Sequence, residues 1–220
     1  MEAAAQSAPV HPVLEGRLDA SLELADAVRR LIGLTTATRA SQEDTLAAAR
    51  ELNAVADRLE RHVPDPPLPK TIVHPADGGT DLAGRMPFDV VVGRHNPLAV
   101  PLTPRFEPPK AFLEGVFTRP YEGPPGCVHG AVIASSFDII LAAANFISGV
   151  SGPTARLEIF YRRPTLLDVP SVFEGWVEQQ EDRSVRTVGR LLQNGRVTVE
   201  AVGEFVRLDR EQMERLASRR

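Results

Sequence analysis

The chain has 220 residues, 25 Lys and Arg against 29 Asp and Glu, and a net charge of −4. That balance argues against a protein held to nucleic acid by phosphate contacts, and the length is enough to bury a sizeable core without disulfides or metals. A single cysteine, Cys127, excludes a disulfide framework and favours a reducing, cytoplasmic setting.

The N-terminal MEAAAQSAPVHP lacks the basic and apolar regions of a secretory signal. No apolar run approaches the ~20 residues of a membrane span, so no membrane contact is expected. Neither clustered Cys/His pairs nor a P-loop signature occurs, so no metal site and no P-loop is expected.

Residues 1–12 read as disordered. A first helix is expected from the spacing of Leu18, Leu22, Ala25, Val28 and Ile32, with Gly33 as its stop. Ser41-Gln-Glu-Asp44 resembles a capping box and opens a second helix, with Leu46, Ala49, Leu52, Ala56, Leu59 and Val63 on one stripe. The pair reads as a helical hairpin, a packing or oligomerisation arm without a polar constellation. A chain beginning near Pro87 is therefore expected to keep its chemistry.

Residues 64–110 are rich in Pro and Gly and read as a long irregular connection, with short strands near Phe88–Val92 and Leu102–Phe106. Beyond Ala111 a strand, a helix over Gly130–Ser148 and four strands follow, at Thr154–Arg162, Ser171–Gln180, Arg183–Gln193 and Val197–Leu208. Asn194-Gly195 between the last two is a strong hairpin signal. A long helix followed by an antiparallel meander is an α+β layout.

Between Gly123 and Ala155 the only formal charge is Asp138, inside GPPGCVHGAVIASSFD. A buried unpaired carboxylate is costly and needs a reason. On a helical wheel Ala131, Ala134, Ser135, Leu141, Ala142 and Asn145 fall beside Asp138. Val132, Ile133, Phe137, Ile139, Ile140 and Ile147 fall opposite. The large face is expected to pack on the sheet, and the small face to admit another backbone or a ligand near Asp138.

His129-Gly130 opens the helix, where unpaired N–H groups can hold charge developing on an oxygen and where glycine permits close approach. An oxyanion donor plus a base or nucleophile are the parts of an acyl-transfer site. Plainer roles stand beside each: a structural hydrogen bond for Asp138, a helix cap for His129, small-residue packing for Cys127, Ser135 and Ser136.

GPPGCVHGAVIASSFD followed by TARLEIFYRRP resembles the PaaI-type hotdog-fold thioesterases, especially the branch with the human acyl-CoA thioesterase superfamily members. The shared pattern is carried by His129, Gly130, Asp138, Thr154, Tyr161 and Pro164, and spans roughly residues 95–208. Ala131 stands where the family has a second glycine.

The resemblance implies a hotdog fold, a long central helix wrapped by an antiparallel sheet, dimerised with sites between subunits. It divides the chain into a 1–92 extension, a 93–210 hotdog domain and a 211–220 tail. It implies hydrolysis of acyl-CoA, with coenzyme A as part of the substrate and no other cofactor. By the same resemblance Asp138 is base or nucleophile, Gly130 N–H the oxyanion donor and His129 a positioning group for the thioester. Thr154 is implied to come from the partner chain, and Arg162 and Arg163 to meet CoA phosphates. A homodimer or dimer of dimers follows. A hotdog dehydratase or hydratase, and a non-catalytic acyl-CoA binding module, remain as alternatives.

Overall fold

The computed structural model describes residues 10–70, 82–150, 152–208, 211–212 and 215. Most of the segments expected to be disorder or tail, 1–9 and most of 211–220, lie outside the described residues. Residues 10–12 are ordered against that expectation, and Pro12–Leu14 forms a short 3-10 turn. His11 is 3% exposed, bonds the Pro69 carbonyl through Nε2 at 2.9 Å and meets the Phe88 ring edge-on at 5.2 Å.

Two helices lead, α1 (Leu18–Thr35) and α2 (Gln42–Glu60), followed by the short α3 (Leu82–Arg85). Gly33 does not stop α1, which runs through it to Thr35. A lone glycine weakens a helix by roughly 1 kcal/mol without forbidding it. Ser41 caps α2 as its spacing suggests, its Oγ accepting from Asp44 N at 3.1 Å. The helices follow one another as expected, but α1 buries only Ala25 and α2 buries nothing.

The Phe88–Val92 segment is not a strand. Asp89 Oδ1 accepts from Val91 N at 2.7 Å and Val92 N at 2.9 Å, and Asn96 Nδ2 donates to Phe88 O, so side chains wind it into turns. Val91 and Val92 are nonetheless core, at 2% exposure each, while Val90 points outward at 45%.

The remainder is β1 (Leu102–Glu107), β2 (Lys110–Val116), α4 (Gly130–Ile147), β3 (Thr154–Tyr161), β4 (Pro170–Gln180), β5 (Ser184–Gln193) and β6 (Arg196–Val206). The six strands form one antiparallel sheet in the order β1-β2-β4-β5-β6-β3. Asn194 and Gly195 both take positive φ, 49° and 72°, as a tight hairpin with right-handed strand twist requires.

Helix α4 lies against the sheet, burying Ile133, Phe137, Ile140, Leu141 and Ala144 among others. By length and composition it is apolar enough to cross a membrane, yet it is the core helix of this sheet. Glycines make its seat. Gly175 pairs with Gly189, Gly189 with Ala201, and Gly203 lies two residues beyond on β6. A Cβ at Gly189 would meet Leu141 Cδ2 at 3.0 Å and one at Gly203 would meet Leu141 Cδ1 at 3.0 Å. Leu141 thus fills the groove that three missing side chains leave.

This corrects the wheel. Leu141 and Asn145, expected on the small face beside Asp138, are buried, and Thr187 donates its hydroxyl to Asn145 Oδ1. Buried polar groups persist when paired, and this pair lets the sheet-facing stripe turn towards Asp138.

Candidate active site

The corner before α4 is built by backbone. Gly123 N donates to Cys127 O at 2.9 Å, and Cys127 N to Pro124 O at 2.8 Å. Gly126 takes φ +73° and its N–H donates to Glu122 Oε1 at 2.7 Å. At Gly123 a Cβ would come within 2.8 Å of His129 Cα, so glycine is required for that crossing.

The segment after β3 clamps the same corner. Val128 N donates to Thr165 O and Leu167 N to Gly126 O, at 2.8 and 3.0 Å. Gln193 then holds Leu166 by both its N–H and its carbonyl, at 2.8 Å each.

His129 is the N-cap of α4, and its Nδ1 accepts from Ala131 N at 3.0 Å. That bond leaves Nε2 as the protonated nitrogen of the neutral ring. Ala131 is helical, and its N–H is spent on His129, so its Cβ distorts nothing. Gly130 N–H makes no hydrogen bond with the described residues and stands at the positive end of the helix. The Gly130 carbonyl accepts from Tyr161 Oη at 2.8 Å. One peptide plane, Gly130 to Ala131, is therefore fixed at both ends. Burial pushes the Tyr161 hydroxyl above its ordinary pKa, so it stays a donor at neutral pH.

Asp138 is half-buried, and its Oδ1 accepts from Thr154 Oγ1 at 2.7 Å within the same chain. Thr154 and Asp138 thus meet within one chain, whereas the resemblance implies a Thr154 supplied by the partner. Eight residues separate Gly130 from Asp138 on one helix, roughly 12 Å of rise. One thioester carbon cannot touch both groups of a single chain. Asp138 lies near the start of β3 and Gly130 near its end.

Arg162 and Arg163 are exposed and already engaged. Arg162 Nε donates to Glu200 Oε2 at 2.7 Å, and Arg163 Nη1 to Val197 O at 2.9 Å. Both border a pocket of about 520 Å³ that reaches Cys127, Gly130, Ile133 and Tyr161. Ser135 and Ser136 both donate back to Val132 O at 2.9 Å, as helix-packing serines do. Among the described residues no group of His, Cys, Asp and Glu could hold a metal ion.

Sequence reasoning named Tyr161 only within a pattern and missed Tyr121, whose carbonyl accepts from His129 N at 2.8 Å. A main-chain acceptor leaves no trace in residue type. The one available signal was an aromatic residue just before the Gly-Pro-Pro-Gly turn.

The thioesterase superfamily model matches residues 125–212. A crystal structure of a thioesterase superfamily protein is 32% identical, covering 86% of this chain and 95% of its own, with a TM-score of 0.77. The Escherichia coli PaaI protein of the phenylacetic acid degradation operon is 15% identical over 49% of this chain and 80% of its own, with a TM-score of 0.46. A Streptococcus pneumoniae hypothetical thioesterase with coenzyme A is 19% identical over 44% of this chain and 80% of its own, with a TM-score of 0.42. No curated protein matches the sequence.

Proposed function

The chain belongs to the thioesterase superfamily and has its hotdog fold, and from that premise we propose that it hydrolyses acyl-CoA thioesters at a site shared by two copies of the chain. One observation carries the shared site: the Thr154–Asp138 pair and the Gly130 N–H lie too far apart on α4 to serve one carbonyl. Strand β3 is the sheet's edge, with its outer side unpaired among the described residues. An eight-residue open edge is a template for another strand. Antiparallel pairing of two β3 edges sets the Thr154 end of one chain beside the Tyr161 end of the other. Asp138 of one copy then faces the Gly130 N–H of the second.

In that arrangement Gly130 N–H holds the thioester oxygen as it gains negative charge. Asp138, steadied by Thr154, takes a proton from water while the water oxygen bonds the carbonyl carbon. Collapse of the tetrahedral adduct breaks the C–S bond, and the coenzyme A thiolate leaves and is protonated. In the alternative route the carboxylate itself attacks, and water opens the resulting anhydride. A single turnover in ¹⁸O-water that labels Asp138 identifies the carboxylate as the nucleophile, because general-base catalysis leaves its own oxygens in place. Arg162 and Arg163 are the candidates for the CoA phosphates, Arg162 by exchanging Glu200 for phosphate.

The test is free-thiol release across acyl-CoAs of varied chain length, followed by a mixing experiment. Gly130→Pro removes the N–H at the first helical position, where proline suits the backbone, and His129 already has the extended ψ of 132° that a pre-proline residue prefers; the added Cβ would stand 3.1 Å from Tyr161 Oη, so that side chain must give by a few tenths of an ångström. Each of Gly130→Pro and Asp138→Asn is expected to be inactive alone. Exchanged into mixed dimers they should regain about a quarter of wild-type turnover, since half the dimers then carry one intact site. Absence of recovery in verified mixed dimers overturns the shared site, and absence of thiol release by the wild type overturns the activity.

A further inference from the structure

The corner that presents Gly130 is tied not only to the sheet but to the N-terminal segment, which the family resemblance leaves without a role. His129 N donates to the Tyr121 carbonyl at 2.8 Å, so the residue before Gly130 is placed by a short turn at Arg119–Tyr121. Tyr121 is held in its turn from elsewhere. Its ring stands edge-on to the fully buried Phe117 at 5.9 Å, and its hydroxyl donates to Ala99 O at 3.2 Å.

Ala99 belongs to a strap over residues 86–101 that is closed on itself. Gly93 N donates to Asp89 O, His95 N to Pro87 O, and Ala99 N to Asn96 O, at 3.0–3.1 Å. Arg29 of α1 grips this strap. Its Nη2 donates to Arg94 O at 2.6 Å and to Asn96 O at 2.8 Å, while Nη1 pairs with Asp26. A second path is direct, because a Cβ on Gly33 of α1 would lie 4.0 Å from Pro120 Cγ, inside the Arg119–Tyr121 turn. Two routes from α1, one through the strap and one through Pro120, converge on the residue whose carbonyl holds His129.

We propose that α1 and the 86–101 strap position the His129–Gly130 corner, with Arg29 and Tyr121 as positioning residues. The proposal rests on the acyl-CoA reading for its catalytic consequence. It also reverses the expectation that a chain starting near Pro87 keeps its chemistry. An oxyanion donor must stand within a few tenths of an ångström of the developing charge, and a displaced donor lowers turnover more than it lowers ground-state binding. Anchoring of α1 alone would cost stability and nothing else.

The experiment uses full-length Arg29→Ala and Tyr121→Phe, with Arg186→Ala as control. Arg186 pairs with Glu178 at 2.8 Å on β4 and β5, away from the corner. Amide hydrogen exchange over residues 128–131 is read beside kcat, KM and Tm. Exchange at 128–131 is expected to quicken about tenfold in Arg29→Ala and Tyr121→Phe. Turnover should fall about three- to tenfold in kcat, with KM within about twofold. Arg186→Ala should leave both readouts at wild-type values whatever its Tm.

Unchanged exchange at 128–131 overturns the proposal, and so does quickened exchange with unchanged kcat. A wild type that releases no thiol from any acyl-CoA refutes the function instead, and exchange alone then decides the positioning role.

Discussion

Helices α2 and α4 are nearly equal in length, 19 and 18 residues, and the fold treats them oppositely. Helix α4 buries eight residues, while α2 buries none and leaves Leu46, Leu52 and Leu59 at 51, 40 and 42% exposure. Both carry apolar stripes. The difference is that α4 has a seat cut for it in the sheet by Gly175, Gly189 and Gly203, and nothing described is shaped to receive α2. An amphipathic pattern states that a helix has a side to bury, but complementary absence elsewhere decides whether it does. Asp138 shows the same asymmetry, being the single charge on α4 and held by Thr154, whereas the charges of α2 are exposed.

The comparison breaks most sharply at Asp138. Asp138→Asn keeps size and a partner for Thr154, so the fold is expected to survive while thioester hydrolysis falls by about 10²–10⁴-fold. Single-turnover rate and Tm on one preparation check it, and turnover within threefold of wild type with lowered Tm makes Asp138 structural.

Next is the seat. Gly189→Val drives a side chain towards Glu174 O, which the first carbon already meets at 2.8 Å, and towards Leu141. A loss of about 1–3 kcal/mol or more is expected in urea unfolding. A near-neutral result removes the groove as the reason α4 docks here.

On the other sheet face Glu174 is 6% exposed and bonds Lys110 Nζ at 3.1 Å and Arg190 Nε. Burial pushes its carboxyl up, but the hydrogen bonds and charges of Arg190 and Lys110 together outweigh burial and hold it below the ordinary 4.5. Its folded pKa is thus below its unfolded one. The stability it adds is present above pH 4.5 and is lost as pH falls through the folded value. Glu174→Gln is expected to cost about 1–2 kcal/mol at pH 7. Denaturant midpoints should show the gap to wild type closing in acid, and a gap that widens in acid contradicts the pairing.

The smallest effect belongs to α2. Leu52→Glu and Leu59→Glu should change stability by no more than about 0.5 kcal/mol, as substitutions at exposed sites do. A larger loss, or a change in sedimentation, would show that the stripe is covered by a second chain and so erase the contrast with α4.

The sequence by itself determined the elements whose reasons are local. Periodicity marked α1, α2 and α4. Asn194-Gly195 placed the last hairpin, and Ser41 capped α2 through its own side chain. The pattern from His129 to Pro164 pointed to the family, because residue type and spacing along one helix and one strand survive as text.

Only tertiary structure decided which faces met. Leu141 and Asn145 turned inward because glycines 34 to 62 residues beyond Leu141 open the sheet and Thr187 supplies a hydroxyl. Thr154 joined Asp138 in its own chain, and Gly130 was left ~12 Å along the helix from it. His129 was fixed by a carbonyl of Tyr121, and Tyr121 by Ala99 in a strap whose pattern shows only an irregular connection with a short strand expected at Phe88–Val92. Such contacts run between backbone groups and between segments far apart in the chain. Every residue carries those backbone groups alike, so no local pattern encodes which of them pair.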